Sequence, residues 1–173
     1  MQKKIIAILG LGPSLKLFRS VDFDLTIGVN DIWRYYKTDA VVCLDNFNAF
    51  TADRLRVIRS CTPEYFYSQK VLWDTMKGFR KIELLPGYPD SFVQFETKAL
   101  HKSYCSPFVA AQIAYKDFRA SEIHLFGVDL ISHPHLDKAL CAKIKIHFRN
   151  LSKALKDKSC ELIVHGNGIL KEL

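Results

Sequence analysis

The chain has 173 residues, 49% of them hydrophobic and 25% charged. That is the balance of one globular domain over residues 1–173, and it excludes a disordered or fibrous chain. No apolar run reaches the ~20 residues that cross a bilayer. A formal net charge of +7 favours acidic or phosphorylated partners. Cys43, Cys61, Cys105, Cys141 and Cys160 are odd in number and scattered, which argues against a disulfide frame or zinc site and for a reducing, cytoplasmic setting.

The opening "MQKKIIAILGLG" resembles the start of a signal peptide, but its apolar stretch is short and runs into a glycine turn. It therefore reads as a first strand from Lys3 to Leu9. The turn "GLGPS" follows, with a helix expected from Leu15. "LTIGVN" (25–30) and "AVVCLD" (40–45) repeat the pattern of an apolar run ending in Asn or Asp, as strands buried on both faces do. "AFTADRLRVIRS" (49–60) has helical spacing, "EYFYS" (64–68) is a weaker strand, and "KIELL" (81–85) is a further one, stopped by "PGYPD". Residues 88–104 are irregular and read as a loop or short lid.

"SPFVAAQIAYKDF" (106–118) opens with Ser as N-cap and Pro at the first helical position. "SEIHLFGVDL" (121–130) and "CELIVHG" (160–166) are strong strands. Between them Leu136, Leu140, Ile144, Phe148, Leu151 and Leu155 form one amphipathic stripe. The lysines and arginine between Lys138 and Lys158 read as a solvated face of that helix. Strand–helix alternation predicts an α/β fold: a Rossmann-like, three-layer α/β/α domain with a mostly parallel sheet of about six or seven strands.

In such a sheet ligands bind beyond the carboxyl ends of the strands. The residues expected there are Gly10, Gly12, Pro13 and Ser14, then Asn30 and Asp31, Asp45 and Asn46, Gly127 and Asp129, His133 and His135, and His165 to Gly168. A glycine turn followed by a helix suits a phosphate, because free amides and the helix dipole point at it. A plain tight turn capped by Ser14 is the alternative. The spacing matches neither the G-x-G-x-x-G fingerprint nor a P-loop. Asp45 and Asp129 end apolar runs, where a carboxylate needs a partner; ribose or metal–phosphate binding and helix capping both stay open. Asn30 could read a base or phosphate, or cap the helix at Ile32. Trp33, Tyr35 and Tyr36 offer a ring to a base or pack in the core. His133 or His135 could act as general base; a metal site there lacks carboxylates. His124 reads as structural and His147 as surface.

"GLGPSL", "GVND", "CLDN", "SPFVAAQIAYKDFRASEIHLFGVDL" and "HGNG", in that order, resemble two related groups. These are the archaeal 6-hydroxymethylpterin diphosphokinase-like family and the bacterial family-42 sialyltransferases. The resemblance implies a nucleotide at the strand tips, with Gly10, Gly12, Pro13, Ser14 and Asn30 on phosphate or ribose. It implies that Ser106, Gly127 and Asp129 line the same pocket, with Asn167 near it. It also implies a loop histidine, His133 or His135, as general base. The tyrosines that support the leaving phosphate in the sialyltransferases have no counterpart in "HLFGVDLISH".

The expected function is a nucleotide-binding transferase, glycosyltransferase-like, with a nucleotide or nucleotide-sugar as substrate and a phosphorylated small molecule as partner. The alternatives are an ATP-dependent pterin-type pyrophosphokinase and a non-catalytic binding module of a larger assembly. Mg²⁺ would serve the kinase reading, but the sequence does not demand it. The basic helix lacks a nucleic-acid-binding motif, so nucleic acid is not the expected partner. A homo-oligomer is compatible with the sequence.

Overall fold

The structure is a computed structural model and describes residues 3–131 and 137–173. Its frame is one seven-stranded sheet in the order β5-β4-β3-β2-β1-β6-β7. The strands are β1 (Ile5–Leu9), β2 (Leu25–Val29), β3 (Ala40–Val42), β4 (Tyr65–Ser68), β5 (Phe79–Lys81), β6 (Glu122–Phe126) and β7 (Glu161–Val164). Every strand pair is parallel, so the α/β Rossmann-like expectation holds. The helices are α1 (Ala52–Ser60), α2 (Ser106–Lys116) and α3 (Lys138–Asp157).

Period-two alternation divides the core between the two faces. Ile6, Ile8, Ile27, Val29, Ile123 and Leu125 point to one face, with α2 and the Ile144, Phe148, Leu151 and Leu155 stripe of α3. Ala7, Leu9, Val41, Cys43, Phe66 and Phe126 point to the other, against Leu15, Phe18, Ile32, Ile58 and Trp73. That second layer is α1 plus short 3₁₀ segments. Each fully buried Ile or Phe contributes roughly 1.5–3 kcal/mol. Small residues at 110, 111 and 114 let α2 pack closely on β1, β2, β3 and β6. After α2 the chain returns to the amino edge, where the Ser121 amide bonds the Lys4 carbonyl. The first turn of α2 therefore faces the carboxyl edge of the strands.

Four local expectations are corrected. The helix expected from Leu15 is a five-residue 3₁₀ segment, Pro13–Leu17; Pro13 starts it and Phe18 turns inward to the core. Ser106 is the first residue of α2 rather than its cap, which is Cys105. The strand placed at 81–85 lies at Phe79–Lys81, and Leu84 instead forms an isolated bridge with Leu100. His147 is fully buried, because it falls on the inner side of the α3 stripe, three residues after Ile144 and four before Leu151.

Candidate functional site

The strand order reverses at β1: β2 to β5 lie on one side of it, β6 and β7 on the other. Crevices open at such switch points beyond the carboxyl ends. The ladder runs one residue past several strands, through Gly10 to Phe126 at 2.7 Å, Asn30 to Val42 at 3.0 Å and His165 to Leu125 at 3.0 Å. Gly10, Asn30, Gly127 and His165 thus follow directly on neighbouring strands, as the sequence predicts.

The loops after β1 and β6 are locked together. The Gly12 amide donates to the Gly127 carbonyl at 2.8 Å. Asp129 Oδ2 accepts from both the Ser14 amide and the Ser14 hydroxyl at 2.9 Å. Ser14 Oγ in turn accepts from the Gly127 amide at 2.8 Å. A Cβ on Gly10 would strike the Gly127 backbone, and one on Gly12 would lie 2.5 Å from Asp129 Oδ2. Gly127 has φ 67°, a left-handed conformation that glycine adopts at little cost. The loop after β7 closes over the pair: the Ile169 amide donates to the Asp129 carbonyl at 3.2 Å.

These contacts use the amides of Gly10, Gly12, Ser14 and Leu15 internally. The glycine turn is tight and knitted to the loop after β6, its glycines permitting loop-to-loop contact; Gly12, with no side-chain cap, precedes the 3₁₀ segment, and Ser14 holds Gly127 rather than capping that segment. Ser14 and Asp129 are buried anchors, while Pro13 and Leu11 are exposed above them.

Asn30 differs. It has φ 52°, and its Oδ1 is buried with no hydrogen-bond partner among the described residues. A lone buried acceptor costs about 1–3 kcal/mol. The adjacent 3₁₀ segment Ile32–Arg34 is preceded by Asp31 and has no side-chain cap, so Asn30 is not retained for capping. Asp31 is buried, and its Oδ1 accepts from Arg54 Nε at 2.9 Å and Nη2 at 2.7 Å. This ion pair ties the β2 tip to α1. Arg54 was not legible as a site-supporting residue; its only sequence signal is a basic side chain on the first turn of α1.

The remaining expected residues are spread along the edge. Asp45 is exposed at the β3 tip, with its carbonyl accepting from Trp73 Nε1 at 3.0 Å. Asn167 is exposed, and its Oδ1 accepts from Lys171 at 3.1 Å. Ser106 is half-buried at the start of α2. Trp33 and Tyr36 pack against the core and Tyr35 is exposed. His133 and His135 lie outside the described residues. Among the described residues no group of three or more His, Cys, Asp or Glu is arranged to hold a metal ion, and no helix is long and apolar enough to cross a membrane.

Comparison of the chain with protein-family models, with curated proteins and with solved structures gives no match.

Proposed function

We propose that this chain is a nucleotide-binding transferase that takes a phosphorylated small molecule beyond the ends of β1, β2 and β6, with glycosyl transfer from a nucleotide-linked donor as its chemistry. The observation that carries this reading is Asn30. At the switch point of a parallel sheet, a buried amide oxygen has no partner among the described residues. A ribose hydroxyl or a base amino group would supply the missing donor. The Ser14–Asp129 lock acts in this reading as the rigid floor, and net positive charge favours the phosphates. Proton transfer by His133 or His135 rests on their place in the sequence after Asp129. Mg²⁺ would have the exposed carboxylate of Asp45 at this edge.

A second reading, a binding module without chemistry, is favoured by the internal use of the turn amides. Calorimetric titration with CMP, UDP, GDP and ATP, each with and without Mg²⁺, tests both. One of the four binds in the micromolar to millimolar range, and Asn30→Gly lowers its affinity at least about tenfold, the value of one good hydrogen bond. Glycine tolerates the left-handed backbone, so the variant stays folded. Absence of binding by all four at millimolar concentration defeats the proposal. Binding without turnover of any nucleotide-sugar selects the second reading.

A further inference from the structure

A separate constellation lies where residues 82–105 cross α2 and α3. Gln112 of α2 exchanges two hydrogen bonds of 2.8 Å with the backbone of His101. Asn150 of α3 donates to the Pro89 carbonyl at 2.8 Å. Between these pins His147 is fully buried. Its Nδ1 is 2.9 Å from Ser103 Oγ, and its Nε2 is 3.1 Å from Asp90 Oδ1. The rings of Tyr88 and Tyr104 lie within 10° and 17° of the imidazole plane.

The partners decide the tautomer. An ionised carboxylate only accepts, so Nε2 carries the hydrogen and donates to Asp90. Nδ1 is then the acceptor, and the Ser103 hydroxyl donates to it. A hydroxyl aimed at a basic nitrogen, with the other nitrogen held by a carboxylate, is the arrangement that activates serine. We propose that Ser103, His147 and Asp90 are the nucleophile, base and positioning residue of an acyl-transfer site for carboxylic esters.

The surroundings fit that chemistry. Burial pushes the Cys105 thiol up to about 12, so it stays protonated near neutral pH, and the group set against the imidazole as nucleophile is the Ser103 hydroxyl. Ser103 is half-buried and Asp90 exposed, which opens the site to solvent. α2 begins three residues after Ser103 without a side-chain cap. Of its first three residues Pro107 carries no amide hydrogen and Phe108 donates to the Cys105 carbonyl at 3.3 Å, which leaves the Ser106 amide as the candidate donor to a developing oxyanion.

In the reaction Ser103 Oγ forms a bond to the ester carbonyl carbon as its proton passes to His147 Nδ1. The tetrahedral intermediate collapses, the carbon–alkoxide bond breaks, and Nδ1 returns the proton to the leaving alcohol. Water then attacks the acyl-serine and gives a proton to Nδ1, which passes it to Ser103 Oγ as the acid departs.

The test is labelling of the full chain with a fluorophosphonate probe, the adduct being located by peptide mass spectrometry, beside hydrolysis of p-nitrophenyl acetate. The adduct forms on Ser103 and is absent from Ser103→Ala. Its rate falls about a hundredfold in His147→Gln, at the low end for a positioned acid–base group. It also falls in Asp90→Asn and recovers in Asp90→Glu, while the melting temperatures of both Asp90 variants stay at the parent value. No adduct on Ser103, or equal labelling of Asp90→Asn, overturns the proposal; the second comparison decides the matter even where His147→Gln fails to fold. Ser103, His147 and Asp90 are not among the strand-tip residues on which the nucleotide reading rests, so either outcome leaves that reading untouched.

Discussion

Ser14 and Asp129 are 115 residues apart in the chain and share two hydrogen bonds of 2.9 Å, both to the same carboxylate oxygen. The Ser14 hydroxyl also holds the Gly127 amide, so one side chain joins the loops after β1 and β6. A residue kept only to meet a phosphate would be dispensable in the absence of ligand. This one is not: Ser14→Ala leaves a buried amide without its acceptor and a buried carboxylate short of a donor. The expected cost is about 2–3 kcal/mol in urea unfolding without nucleotide. In a double-mutant cycle Ser14→Ala and Asp129→Asn couple by about 1 kcal/mol or more. Additive effects would show that the two residues act apart.

Gly127 and Gly87 have similar backbone angles, φ 67° and 78°, but different surroundings. A Cβ on Gly127 would meet the Gly10 backbone, whereas one on Gly87 would meet nothing within 4 Å. Both alanine variants carry the left-handed penalty of about 1–2 kcal/mol. Only Gly127→Ala adds a collision between two backbones that cannot both yield. Gly127→Ala is therefore expected to lose at least about 2 kcal/mol more than Gly87→Ala, read from urea midpoints. Equal losses would mean that the β1 and β6 loops have room to part.

The sheet was legible because buried parallel strands are continuous apolar runs, and "IIAIL", "LTIGV" and "EIHLF" are such runs. β5 was not, because it is an edge strand whose Arg80 and Lys81 are exposed, while the apolar run after it pairs with Leu100 outside the sheet. The tips of β1, β2 and β6 were legible as a group, since the topology rule needs only strand ends. Their internal pairing was not, because a Ser–Asp bond across 115 residues leaves no local trace. Burial of His147 was within reach: it stands beside Ile144, Phe148 and Leu151 on the α3 stripe. Its contacts with Asp90 and Ser103 span 57 and 44 residues, and nothing in the spacing of either announces them.

Acid sensitivity separates two histidines from the carboxylates. Burial, and then the Lys116 charge, lowers His101 below the ordinary 6.5; its Nε2 accepts from the Gln94 amide at 3.1 Å and must be unprotonated to do so. Burial, and then the His124 charge, lowers His165 in the same direction. A group with a depressed native value binds its proton more readily when unfolded, so stability rises with pH between the native value and 6.5. Both contributions are complete above 6.5 and fade as the pH falls towards the lowered values. The carboxylates held low by cations, Asp53 beside Arg34 and Glu96 beside Lys158, act only further down, below the ordinary values of 3.8 and 4.5. Urea midpoints are therefore expected to drop between about pH 7 and pH 5. His165→Asn should flatten that drop in part, and the His101→Gln, His165→Asn pair should flatten most of it. A parent midpoint that does not move across this range would show that both imidazoles are free to take up a proton in the folded chain.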